Sequence, residues 1–166
     1  MQAKTRCPWV HDELDQHYHD TEWGVPEYDD AKLFEFIILE GMQAGLSWNL
    51  ILKRRETMRE AFDGFNPTII AKYNDTKRAE LLANPGVIRN RRKIDALIKN
   101  ANAFLAVQKE FGSFSSYIWG FVGGKPIVNA WQTTAQVPIT TEVSDAMSKD
   151  LKKRGFSFVG STICYS

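Results

Sequence analysis

The run RNRRKIDALIKNANAFLAVQKEF, residues 89–111, restricts this 166-residue chain more than any other stretch. Its apolar residues Ile94, Leu97, Ile98, Ala101, Phe104 and Leu105 recur every three or four positions, which gathers them on one face of a helix and would scatter them over both faces of a strand. A long helix with so wide a stripe has to be covered, and the rest of the chain offers further helices. In DDAKLFEFIILEGMQAG the residues Leu33, Phe34, Phe36, Ile37, Ile38 and Leu39 form a broad buried stripe that ends near Gly41 to Gly45. Ser47 is placed to cap a following helix through WNLILKRRETMREAF. Asn66 with Pro67 opens NPTIIAKY, and Asp75 opens DTKRAELLAN. SFSSYIWGF reads as a short helix and VGGKPIVNAWQTTAQVPITT as an irregular connection rich in Gly and Pro. SDAMSKDLKKRG reads as a helix with Ser144 as cap and Gly155 at the left-handed position that ends it. No convincing alternating strand or internal repeat is present, so the predicted fold class is all-α.

The length suits a single helical domain over residues 1–166. No stretch approaches the roughly 20 apolar residues of a membrane span, and MQAKTRCPWVHDELD lacks the apolar segment of a signal peptide. A cytoplasmic monomer with no membrane partner is expected. The two cysteines, Cys7 and Cys164, are then reduced thiols or metal ligands. The net charge of +1 hides an asymmetry: residues 1–85 hold 10 Lys and Arg against 15 Asp and Glu, and residues 86–166 hold 11 against 5. Basic residues cluster in RNRRK at 89–93 and KDLKKR at 149–154. A solvated charged face and a positive face for a polyanion such as DNA both fit that pattern.

KKRGFSFVGSTICYS, residues 152–166, ends one helix at Gly155, turns through Phe156 and Phe158, and starts another helix after Gly160. This is a helix-hairpin-helix pattern, in which glycine permits close backbone approach and free N–H groups at the start of the second helix attract a phosphate. A plain Gly-capped turn between two helices would read the same way.

Glu40 ends the oily helix on the face of Leu33, Phe36 and Ile37, so the stripe would bury it. A buried carboxylate has to be hydrogen-bonded, ion-paired or protonated with a raised pKa. It either ties loop N–H groups or an arginine, or it is a pocket acid kept dry for a polar or cationic ligand. Trp9, Tyr18, Trp23 and Trp48 all fall in the first 48 residues. They can be core residues, or stacking platforms for a flipped, positively charged nucleobase.

RCPWV, YHDTEWGVPE, LFEFIILEGMQAGLSW, ILKRRE, GVIRNRRKI and SDAMSKDLKKRGFSFVGSTICYS together resemble the 3-methyladenine DNA glycosylase I family over essentially the whole chain. The resemblance implies a helix-hairpin-helix DNA glycosylase fold and a repair enzyme that flips 3-methyladenine out of alkylated double-stranded DNA and hydrolyses its base–sugar bond. It makes Glu40 the pocket acid, Tyr18 the pocket tyrosine and Trp48 the stacking tryptophan, with Trp23 and Trp9 on the pocket wall. Gln43, Gly45 and Leu46 match the loop that approaches the gap left by the flipped nucleotide. Lys153, Arg154, Gly155, Gly160, Ser161 and Thr162 match the DNA-anchoring hairpin, and residues 89–93 are a further candidate for backbone contact. No lysine lies on the pocket motifs, which favours monofunctional hydrolysis over a Schiff-base step. A catalytically silent DNA-binding module is the alternative; it would have no use for Glu40 facing Trp48 and Tyr18.

The family also carries a structural zinc ion joining the two ends of the chain, and Cys7 and His19 match two of its ligands. The other two belong to a C-terminal tail that is expected to be absent here, because the sequence ends at Ser166. His11, His17 and Cys164 do not supply a replacement pair, so half of the zinc site is expected to be missing.

Overall fold

The computed structural model describes residues 5–166 and, among them, contains nine α-helices, three short 3-10 turns and no strand. The helices are α1 (Glu13–Thr21), α2 (Asp30–Gln43), α3 (Trp48–Ala61), α4 (Pro67–Ile70), α5 (Asp75–Ala83), α6 (Arg91–Phe111), α7 (Phe114–Trp119), α8 (Glu142–Lys153) and α9 (Ser161–Tyr165). The all-α expectation holds.

Most of these helices start where a short polar side chain can satisfy free N–H groups. Ser47 accepts from Leu50 N, and Asn66 accepts from Thr68 N and Ile69 N ahead of Pro67. α5 starts at Asp75 as expected, with Asn74 as its cap, and one expectation is corrected: α8 is capped by Thr141 rather than Ser144. Ser144 is instead the third helical residue, and its hydroxyl completes a reciprocal capping box with Thr141. α1 was not anticipated. Its sequence ELDQHYHDT is polar nearly all round, and it buries only Asp15 and Tyr18.

α2 and α6 form the centre. Phe34, Ile38, Leu39 and Met42 of α2 and Ile94, Leu97, Ala101, Phe104 and Val107 of α6 belong to one core cluster. Each of these side chains larger than alanine stabilises the fold by about 1.5–3 kcal/mol through burial. Asp30 pins the start of α2 to its neighbours by accepting from Gln108 Nε2, Phe114 N and Ser115 N, each at 2.8 Å. The far end of α2 is pinned by Lys93 of α6, whose Nζ donates to the carbonyls of Met42 (2.7 Å) and Ala44 (2.6 Å).

The hairpin between α8 and α9 is held from beneath. Gly155 adopts φ +96°, which a glycine tolerates and other residues resist. Asn100 of α6, 3% exposed, brackets Ser157 by donating to its carbonyl (2.9 Å) and accepting from its N–H (2.8 Å). Ser148 Oγ donates to the Val159 carbonyl at 2.7 Å. Between these clamps Phe158 sits at φ +57°, a conformation that costs a non-glycine residue about 1–2 kcal/mol. A Cβ on Gly41 would lie 3.3 Å from Phe158 Cβ, so a side chain one position after Glu40 would press on the hairpin where it closes on α2.

Candidate active site

Three elements bring the predicted pocket residues together. Tyr18 comes from the middle of α1, Glu40 from the last turn of α2 and Trp48 from the first residue of α3. Asn49, next to Trp48, ties α3 to α1 by donating to Asp12 (2.8 Å) and Asp15 (2.9 Å). The ring centroids of Tyr18 and Trp48 are 5.2 Å apart, and Phe36 lies 6.5 Å from Tyr18.

Glu40 is half-buried, and among the described residues its carboxyl makes no hydrogen bond or ion pair. Burial pushes its pKa from 4.5 up to about 7. The Tyr18 hydroxyl is held protonated well above its ordinary range, first by burial and then by the negative charges of Glu40 and Glu22. Trp48 Nε1 is buried without a hydrogen-bond partner. An acid, a phenol and an indole N–H are therefore left unsatisfied beside aromatic faces, which costs stability unless a ligand or water engages them.

Trp9 and Trp23 lie further out. Trp9 is 6.1 Å from Tyr18, 5.7 Å from Trp23 and 5.4 Å from the His19 ring. Trp23, 44% exposed, stacks on His19 at 5.2 Å with an interplanar angle of 19°. The two tryptophans thus form an outer wall that continues the Tyr18–Trp48 pair.

Residues 43–46 form a tight turn after α2. Gln43 Nε2 donates to the Leu46 carbonyl at 3.0 Å, Gly45 is exposed at φ +77°, and Leu46 packs against the core cluster. At the hairpin, Lys153 and Thr162 are exposed and no side chain caps the first turn of α9 after Gly160. Arg154, expected at the DNA-anchoring hairpin, is engaged within the chain. Its guanidinium is paired with Asp150 and Glu110, both at 2.7 Å, and lies over Phe111 and Tyr117. The Ser161 hydroxyl is likewise engaged, with Asp145 (2.5 Å) and Ser144 (2.7 Å). In RNRRK, Lys93 turns inward to the α2 carbonyls, so of its basic residues Arg89, Arg91 and Arg92 remain exposed.

Cys7 N donates to His19 Nε2 at 3.4 Å, so these two residues are neighbours. No group of three or more potential metal ligands occurs among the described residues. Cys7 and His19 alone do not make the four-coordinate set that structural zinc requires. Cys164 donates to the Val159 carbonyl at 3.4 Å, and burial pushes its thiol up to about 11.

Reasoning from sequence missed Glu35 altogether. It is 2% exposed and accepts from Arg55 at 2.7 Å and from Arg59, while Arg55 also holds Glu22 at 2.7 Å. Burial alone would raise the Glu35 pKa, but the two guanidinium groups outweigh it and hold the carboxyl below its ordinary range.

The family model described as methyladenine glycosylase matches residues 9–166. The chain belongs to the methyladenine glycosylase family. Within that family it is 53% identical to a DNA-3-methyladenine glycosylase of Haemophilus influenzae over 98% of this chain and 88% of that one. A crystal structure of a 3-methyladenine DNA glycosylase I superposes with a TM-score of 0.94 at 51% identity, covering 97% of this chain and 89% of that chain. A tyrosine-to-phenylalanine variant of such a glycosylase in complex with 3-methyladenine matches with a TM-score of 0.91 at 34% identity, covering 93% and 83%. No helix among the described residues of this family member is long and apolar enough to cross a membrane.

Proposed function

We propose that this protein, acting as a monomer, excises 3-methyladenine from alkylated double-stranded DNA by hydrolysing the bond between base and sugar. The observation that carries the reading is the unpaired Glu40 carboxyl beside Tyr18 and Trp48. Methylation at N3 makes the purine cationic, so the bond is already weakened and selection rests largely on recognition. A flipped base stacked on the indole of Trp48 gains about 1–3 kcal/mol, and a positive ring gains more from an aromatic face. Glu40 ionises against that cation, because a nearby positive charge favours the carboxylate. The protonated Tyr18 hydroxyl is a donor able to fix the base edge. Leu46 and Gln43 stand at the gap in the stack, and the turn at Gly155 and Gly160 with Lys153 and Thr162 meets the backbone.

The leaving purine is replaced by water, which Glu40 is placed to orient as the sugar becomes cationic. The buried amine of Lys93 is committed to two carbonyls, which supports hydrolysis without a Schiff base. Zinc enters no step: a structural ion at Cys7 and His19 would need two further ligands, and its place would be to hold the Trp9 and His19 wall.

Chromatography of bases freed from methylated duplex DNA tests the reading. The parent protein is expected to release 3-methyladenine, and Glu40→Gln to do so about 10- to 150-fold more slowly, the equivalent of losing one charged hydrogen bond of about 1.5–3 kcal/mol. Equal rates would remove Glu40 from catalysis. DNA binding with no release by the parent would leave the silent module.

A further inference from the structure

With Arg154 committed to acids of its own chain, the hairpin carries less free positive charge than its sequence suggests. Free cations collect instead around a groove of about 530 Å³ between α6 and the hairpin. Arg92, Asp95 and Lys99 of α6 line one side at intervals of three and four residues, and Lys152 of α8 lines the other. Phe156 and Phe158 of the hairpin complete the lining. All three cations are exposed, and among the described residues none of them is ion-paired with a carboxylate. The single acid in the lining, Asp95, faces Arg78 Nε outside the groove at 3.2 Å, a guanidinium that it shares with Asp75. Three cations against one partly paired acid leave the groove net positive, on a wall held by the Asn100 clamp on Ser157.

We infer that this groove is a second seat for the DNA sugar-phosphate backbone, taking phosphates that flank those met by the glycine turn of the hairpin. The inference rests on the DNA-glycosylase reading. Arg92 and Lys99 are seven residues apart, so they stand about 10 Å apart along α6 at roughly 1.5 Å per residue. That distance is about three nucleotides of rise at roughly 3.4 Å each. Two cations along such a span, with Lys152 facing them across the groove, suit a row of phosphates better than one small anion. The groove is also continuous with the hairpin that closes on α2 at Gly41, which places the seat on the same rigid unit as Glu40.

The test is binding of undamaged duplex DNA by the full chain, followed by anisotropy over a series of KCl concentrations. Each phosphate contact contributes about 0.9 to the slope of log affinity against log salt. Arg92→Gln/Lys99→Gln/Lys152→Gln is expected to lower that slope by about 2–3 and to weaken binding at least about tenfold at 0.1 M salt, with an unchanged melting temperature. Lys109→Gln, on the last turn of α6 away from the groove, is expected to leave the slope unaltered. Should the triple variant fold poorly, Lys99→Gln alone is expected to lower the slope by about 1. A parent-like slope in a folded variant overturns the inference, and points to an acidic protein as occupant if one competes for the groove. Release of 3-methyladenine by the parent is read separately. Normal release with an unaltered slope removes only the groove, whereas no release with a reduced slope removes only the catalytic reading.

Discussion

Glu35 and Glu40 lie five residues apart on α2, and the two ends of that helix treat a carboxylate in opposite ways. Glu35 is buried against the side chains of Arg55 and Arg59 of α3, with its charge held on by the two guanidinium groups. Glu40 reaches no cation, and burial drives it toward its neutral form. A structural acid is recognised by its satisfied partners, and a functional one by their absence in a place where absence is costly. Glu35 fulfils the structural role, tying α2 to α3, that could equally have been assigned to Glu40 from its position among apolar residues. The arginine-paired site needs no ligand, whereas the aromatic site is left with groups that only a ligand or water can complete.

The comparison is open to attack at several points. The largest effect is expected from Glu35→Ala, which removes the carboxylate shared by two arginines and leaves Arg55, 11% exposed, with Glu22 alone. Breaking such a buried pair costs about 3–5 kcal/mol. Calorimetry should then show a melting temperature lower by roughly 6–20 °C at about 2–4 °C per kcal/mol, and a fall of less than about 1 kcal/mol would mean that the network contributes little. The same pair fixes the acid limb of stability. Because the folded pKa of Glu35 lies below 4.5, its contribution is present above that value and is lost as pH falls through the depressed pKa.

Glu40 behaves with the opposite sign. Its folded pKa of about 7 exceeds the ordinary 4.5, so between these values the folded protein holds a proton that the unfolded chain has released. Stability attributable to this residue therefore falls as pH rises from 4.5 to about 7, by up to about 3 kcal/mol. Glu40→Gln, although slow in excision, is expected to be more stable than the parent at pH 8 and nearly equal to it at pH 4.5. Denaturant unfolding at both pH values checks this, and a variant less stable at pH 8 would assign Glu40 to the fold.

A smaller effect is expected at Lys93, which joins the two regions by holding the carbonyls that end α2. Lys93→Met retains the aliphatic stem and loses two hydrogen bonds to carbonyls, a net cost of about 1–2 kcal/mol in all because the desolvation of the buried ammonium is relieved at the same time. Hydrogen exchange should show faster opening at residues 43–46 than at α6; equal protection would mean that the turn holds itself.

Much of this architecture was legible because helix starts and stops are local. Ser47, Asn66 with Pro67, and Gly155 each act within a few residues, and the stripe on α6 repeats with the helical period. α1 escaped because its polar surface carries no stripe, and its cap Asp12 is one acid among many. Glu35 escaped for a different reason. α2 is apolar on nearly every side, so periodicity does not decide which face is buried, and the arginines that pair with Glu35 come 20 and 24 residues later. Arg154 and Lys93 show the same limit at basic runs. Composition marks a cation as available, and only the fold reveals that Asp150 and Glu110, or two carbonyls, already hold it. The Tyr18–Trp48–Glu40 grouping spans three helices, and it was reached through the resemblance of whole motifs rather than through spacing.

The most direct measurement is a titration of the Glu40 side-chain carboxyl by carbon-13 NMR, without ligand and with a saturating N-methylated purine cation. The account predicts a midpoint near 7 in the free protein, moving downward by at least about one unit when the cation binds. A midpoint near 4.5 in the free protein, unchanged by the cation, would mean that this acid is neither dry nor facing the base, and would contradict the account.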